Sequence, residues 1–172
     1  ALEDFDRAID LDPNLAWAIA SRGQVHHAQN HYTKALEDFD WAIELDPNLA
    51  WAIASRGETY RLMEKYAEAL EDFDRAIDLD PTLTWAIASR ARVYRALERY
   101  RESLDDFNRA LGMEPAYAYS IAGRGETYRQ MGNIDQALSD FDQALKLDAT
   151  IDWALDYRGR AYLSLGRYDA AL

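Results

Sequence analysis

The sequence predicts an all-α solenoid, in which antiparallel helix pairs repeat every 34 residues and stack in a line. Two observations lead to this class. A shift of 34 residues superposes Trp17, Trp51, Trp85, Tyr119 and Trp153 in one register. The same shift superposes Phe5, Phe39, Phe73, Phe107 and Phe141, which are all the phenylalanines of the chain. A fixed period of this length marks a stacked repeat architecture, where each unit touches only its neighbours and stability accumulates along the array.

The central unit shows why each half is a helix. Ile53, Gly57, Tyr60 and Met63 recur at three- and four-residue steps, so one face of a first helix is apolar. Ala69, Leu70, Phe73, Ala76 and Ile77 do the same for a second. Only Glu64, Lys65 and Tyr66 separate them, and so short a connection requires antiparallel neighbours. Pro81 ends the second helix, because its ring clashes with the preceding turn and it lacks an N–H. Thr82, or Asn48 one unit earlier, is expected to cap the helix that follows. Gly57 lets the paired helices approach closely, with Ala69 and Ala76 facing it; Ala91 takes the glycine's place one unit on.

Taken in order, residues 1–15 supply the second helix of a truncated repeat, near 2–11. Full repeats follow at 16–49, 50–83, 84–117 and 118–151, and 152–172 holds a first helix and the start of a truncated repeat. First helices are expected near 16–29, 50–63, 84–97, 118–131 and 152–165. Second helices are expected near 33–45, 67–79, 101–112 and 135–147, with a stub at 169–172. The terminal residues Ala1 and Leu172 equal Ala35 and Leu36 in phase, so the chain reads as a piece of a longer protein.

Composition narrows the function classes. A formal net charge of -12 argues against binding a phosphate backbone, which calls for a basic footprint. No run of about 18 apolar residues is present, so no membrane span is expected, and the N-terminus shows no signal-peptide pattern. The chain has 0 cysteines, which excludes disulfides and thiolate metal sites and fits a reducing, cytoplasmic compartment. No nucleophile–base constellation, phosphate-cradling glycine loop or zinc signature stands out, so neither an enzyme nor a cofactor is expected.

These landmarks resemble the tetratricopeptide repeat, whose pattern is W-x2-L-G-x2-Y, then A-x3-F, then P. Gly57-x2-Tyr60, Ala69-x3-Phe73 and Pro81 match it, as do Gly23, Ala35-x3-Phe39 and Pro47. Ser103-x3-Phe107 with Pro115, and Ala137-x3-Phe141 followed by Ala149, match less fully. The family's Trp slot holds Ile19, Ile53, Ile87, Ile121 and Leu155, the tryptophans lying two residues earlier. Its Leu slot holds Arg22, Arg56, Arg90, Arg124 and Arg158. The resemblance implies a right-handed superhelix whose concave groove is lined by the first helices.

At 100° per residue, Trp51, Ala54, Ser55, Glu58, Arg61 and Leu62 face away from the second helix. By the resemblance, the ligand-binding groove then holds Trp17, Trp51, Trp85, Tyr119 and Trp153 as an aromatic row. Arg61, Arg92, Arg95, Arg129 and Arg160 lie on the same surface, with Glu58 and Glu126 between them. The second helix at 67–80 carries six acidic residues against Arg75, so the outside is acidic and the groove side neutral to basic. Aromatic and arginine side chains are the groups that interface hot spots favour. Two roles stay open for the tryptophans, packing on the neighbouring first helix or contact with a partner. The family's clamp for a C-terminal carboxylate needs Lys and Asn where this chain has Ala, Ser and Trp, so that specificity is not expected.

The repeated arginine lies at the edge of the face that meets the second helix, and Asp38, Asp72, Asp106 and Asp140 lie at the corresponding edge. An Arg–Asp pair per unit is expected, for example Arg56 with Asp72 or with Asp38 of the unit before. His26, His27 and His31 cluster in one repeat, but His26 fills the Tyr60 position and no cysteine completes a ligand set, so no metal site is expected. Trp41 takes the outer position of Arg75 and Arg109, as a second contact patch or as a cover for a neighbour's apolar edge. Asp-rich joints such as Asp78-Leu79-Asp80 read as turn chemistry, lacking the spacing of a calcium loop.

The leading expectation is a protein- or peptide-binding scaffold that takes a partner segment in its groove. The alternative is a structural element that self-associates end to end, its two half-repeats rebuilding one unit between molecules. Nucleic acid and membrane are not expected partners.

Overall fold

The computed structural model describes residues 2–167. Among them are ten helices and no strand: α1 (Leu2–Leu11), α2 (Ala16–Ala28), α3 (Tyr32–Leu45), α4 (Ala50–Leu62), α5 (Tyr66–Leu79), α6 (Thr84–Ala96), α7 (Tyr100–Met113), α8 (Ala118–Gln130), α9 (Ile134–Leu147) and α10 (Asp152–Ser164). Each bound falls within a residue of the expected one, and the stub expected at 169–172 lies outside the described residues. No described helix is long and apolar enough to cross a membrane.

The chain forms two compact units, Ala1–Ala86 and Ile87–Leu172. In the first, α2 packs along α3 and α4 along α5, with α1 on α2 and α3 on α4. Its core stacks Ile19 and Ile53 from first helices with Phe39 and Phe73 from second helices, all fully buried. Each such side chain contributes roughly 1.5–3 kcal/mol of burial. The close approach at Gly57 is literal: a Cβ there would lie 3.1 Å from Asp72 Cβ and 3.3 Å from the Ala69 carbonyl oxygen. In the second unit, α8 pairs with α9, flanked by α7 and α10. Its core gathers Ile121, Phe141, Leu145 and Ile151 around small residues, with Tyr128 and Trp153 packed against them.

The repeated arginine makes the expected pair and adds a second partner. Arg56 donates to Asp72 through Nε (2.8 Å) and Nη2 (2.6 Å). Its Nη1 donates to Asp40 of the preceding repeat (2.7 Å), not to Asp38 as the alternative expectation had it. Arg22 repeats the geometry with Asp38 and Asp6, and Arg124 does so with Asp140 and Asn108. One guanidinium thus ties its own second helix to the second helix before it. The bonds to Asp72 push the Arg56 guanidinium above its ordinary range. Burial weighs in the opposite sense on Asp72, raising its carboxyl. The pair therefore orients helices more than it stabilises them.

Each hairpin turn between described helices closes through one residue with positive φ, Asn30, Glu64, Glu98 and Gly132, and Gly166 after α10 takes the same conformation. In the central one, Glu64 N–H donates to Arg61 O (3.0 Å) and Lys65 N–H to Tyr60 O (2.9 Å). This is a Schellman closure, which satisfies carbonyls that the helix end leaves open.

The expected capping by Asn48 and Thr82 is corrected. Leu49 sits at the N-cap of α4 with no side-chain cap bond. Asn48 N–H donates to Asp46 Oδ1 (3.0 Å), and the Thr82 N–H and hydroxyl both donate to Asp80 Oδ1 (2.9 and 2.6 Å). The residue before a proline is driven to extended backbone, and Asp80 has φ -136. Its carboxylate then reaches the donors two residues on, before they can turn to the helix. Asp148 does the same with Thr150 although Ala149 replaces the proline.

Candidate functional site

In the first unit, the face of the first helices turned away from their partners encloses a cavity of ≈ 340 Å³. Gln24 and His27 reach it from α2, Trp51, Ser55 and Glu58 from α4, and Trp85 from the start of α6. Trp51 and Trp85 are half-buried, whereas Trp17 is 63% exposed and sets its ring edge-on to Phe5 at 6.2 Å. Room for the cavity comes from the small residues between the indoles, of which Ala54 and Ser55 are buried.

The polar groups of this cavity are held in place. Arg61 grips Glu58 with Nε and Nη2, both at 2.8 Å, within the same helix. Burial is the largest influence and opposes the Arg61 charge. The bonds to Glu58 and the charge of that carboxylate, with smaller help from Tyr66 and Tyr32, together leave the guanidinium raised. The Thr59 hydroxyl donates to Ser55 O (2.8 Å). Thr59 Oγ1 must therefore accept from His27 Nδ1, which lies 2.8 Å away. Burial lowers the His27 pKa, with Arg61 adding to the shift and Glu58 opposing it. His27 is thus a neutral ring at pH 7, with its proton on Nδ1.

In the second unit the corresponding face is more closely packed among the described residues. Tyr119 is 49% exposed and leans on half-buried Trp153 at 6.2 Å. Trp153 in turn meets Tyr157 at 5.9 Å. Arg129 and Arg160 each stand 5.7 Å from the Tyr157 ring centroid. Arg160 also pairs with Asp156 (2.9 Å). Glu126 is 2% exposed, and its carboxylate accepts from Arg129 (2.7 and 2.9 Å) and Gln130 (2.8 Å). Arg92 Nη2 donates to Ser89 Oγ (2.9 Å), and Arg95 Nη1 to Gly123 O (3.4 Å). Ala88, Arg92, Phe107, Tyr117, Tyr119 and Trp153 leave a space of only ≈ 50 Å³. Phe107 explains part of this, since its Cζ lies 2.5 Å from where a Cβ on Gly123 would be.

A family model for the tetratricopeptide repeat matches residues 16–49, 50–83 and 118–150, and a second model of the same description matches 86–117. This chain belongs to the tetratricopeptide repeat family. Similar solved structures include YrrB, described as a tetratricopeptide repeat protein with an unusual peptide-binding site. It is 25% identical, with 100% of this chain and 89% of that chain covered and a TM-score of 0.75. MamA is 21% identical over 87% of each chain, with a TM-score of 0.73. PilW, a widely conserved type IV pilus biogenesis factor, is 20% identical over 97% of this chain and 78% of its own, with a TM-score of 0.89. No curated protein matches the sequence.

Tetratricopeptide repeats are protein-interaction scaffolds that bind protein or peptide partners, and they are generally non-enzymatic. In this tetratricopeptide repeat chain, two cavity residues escaped the reading of the sequence. Gln24 and His27 stand 34 residues before Glu58 and Arg61, so the register placed them on the same face. By residue type alone His27 suggests a metal ligand, whereas its 34-residue register with Arg61 is the signal that places it at the cavity.

Proposed function

We propose that this chain is a binding scaffold that takes a segment of a protein or peptide partner against the exposed side of its first helices. One observation carries the reading. A cavity of ≈ 340 Å³ is built by side chains from successive first helices, with two indoles on its wall. Pockets that take ligands start at about 300 Å³ and combine aromatic walls with a few fixed polar groups. The contact residues in the first unit are Trp17, Trp51, Trp85, Glu58 and Arg61. In the second they are Tyr119, Trp153, Arg92, Arg95, Glu126, Arg129 and Arg160, with Glu126 acting through Arg129. Replacing Trp51 and Trp85 together by alanine should abolish capture of partner peptides and leave helical circular dichroism largely unchanged. Full capture by that double variant would sink the reading, and collapse of its thermal stability would assign the indoles to packing.

A second reading, end-to-end self-association, is supported by one contrast. Leu155 on α10 is 46% exposed, while Ile19, Ile53, Ile87 and Ile121 in the same register are buried. This exposed apolar side chain on α10 is one that α1 of another copy could cover. Light scattering across concentration tests it: a mass that stays monomeric at high concentration removes the idea.

A further inference from the structure

We propose that the cavity between the Trp51 and Trp85 indoles takes the cationic side chain of a basic peptide, a lysine ammonium or an arginine guanidinium, with Glu58 as its counter-charge. The proposal rests on the scaffold reading above and adds the chemistry of the partner.

The lining is suited to a cation in several independent ways. Two indoles are on the wall, and the face of tryptophan is the best aromatic surface for a positive charge. Glu58 is the one carboxylate among the lining residues, and no basic ammonium or guanidinium group is among them. Arg61 holds Glu58 at both oxygens. This grip orients the Glu58 carboxylate at the cavity wall. The remaining polar groups are the Gln24 amide, the Ser55 hydroxyl and the neutral His27 ring, none of which repels a cation. His27 places its proton on Nδ1 toward Thr59, which makes Nε2 an acceptor.

Charge on the larger scale agrees. Residues 1–86 hold 7 of the 19 basic and 18 of the 31 acidic side chains, a balance of -11 out of -12 for the whole chain. The unit that contains the cavity is therefore the unit that attracts a basic segment, and the attraction is strongest at low salt. In the same register the second unit carries Arg92 and then Glu126, and it is Arg92 that lines the smaller space there. A cavity shaped for an apolar plug alone would not need the carboxylate.

The test uses the full chain and two kinds of probe. A random-peptide library is panned against it, and binders are re-measured against Glu58→Gln and Trp51→Ala variants whose helical content is checked by circular dichroism. Blocked single residues then serve as probes: Nα-acetyl-lysine N-methylamide and its arginine counterpart, with norleucine and glutamate analogues as controls. Indole N–H resonances of Trp51 and Trp85 report binding by nuclear magnetic resonance. The expected result is enrichment of peptides with a lysine or arginine, whose affinity falls roughly tenfold in Glu58→Gln. The two cationic probes should shift both indole signals, and the controls should not. Enriched peptides without basic residues, or basic ones indifferent to Glu58→Gln, overturn this inference and leave the scaffold reading standing. Equal indole shifts from norleucine overturn it as well. A library from which nothing is enriched overturns both.

Discussion

At the residue scale, the informative side chains are those with two jobs. Arg56 binds Asp72 with a two-nitrogen fork and reaches Asp40 with its third nitrogen. A lysine carries one point charge and no fork, so the exchange is not conservative at such a site. Arg56→Lys should lower stability by about 1–3 kcal/mol, below the range for fully buried pairs because the guanidinium is partly exposed. Chemical denaturation measures this, and an unchanged midpoint would show that the clasp is decorative. His27 makes a pH prediction. Its folded pKa is lowered, so the unfolded chain takes up a proton first as pH falls through about 6.5. The stability His27 contributes is therefore present above about pH 6.5 and is lost below it, down to the lowered folded value. A His27→Gln variant should show a flatter stability profile across that interval. In the wild type, a ring titration midpoint at or above 6.5 by nuclear magnetic resonance would contradict the burial argument.

At the element scale, helix ends are set by closures that repeat with the same 34-residue period. Glu64 and Glu98 sit at positive φ in hairpin turns where Gly132 and Gly166 stand in the later repeats. An L side chain in that region costs about 1–2 kcal/mol, and glycine relieves most of it. Glu64→Gly should therefore raise stability by about 0.5–1 kcal/mol without altering the fold, read as a higher thermal midpoint. A drop would mean that Glu64 makes a contact outweighing its strain. The joints after the second helices behave differently. Asp80 and Asp148 are held below the usual carboxylate range by bonds first from a threonine hydroxyl and then from its N–H. Most of this scale was legible beforehand, because apolar residues three and four apart leave helix length little freedom. The caps were not, since Thr82 and Asn48 suit either an N-cap or a turn. Only the backbone at Asp80 and Asp46 decides which acceptor lies nearer. Likewise the tryptophan register was plain in the sequence, but how little space is left at Tyr119 depends on how Phe107 and Gly123 fit together.

At the scale of the whole molecule, net charge is distributed very unevenly. The first unit holds -11 of the total -12. Like charges on the outer faces of α3 and α5 repel in the folded state, and that repulsion opposes compactness. Raising ionic strength from about 0.01 M to about 1 M shortens the screening length from roughly 30 Å to roughly 3 Å, which removes most of it. The arginine clasps are affected less, because they are in contact and partly shielded from solvent. Added sodium chloride should therefore stabilise this protein, and the gain should fall mainly on the first unit. Hydrogen exchange at low and high salt separates the two, since backbone amides of α2 to α5 and of α7 to α9 report on their own units. The expected outcome is a larger rise in protection for α2 to α5. Equal gains in both units would mean that salt acts through general exclusion from the surface, not through the acidic field. A loss of protection in α2 to α5 would mean that the clasps to Asp38 and Asp72, not the repulsion around them, dominate the electrostatics of this half.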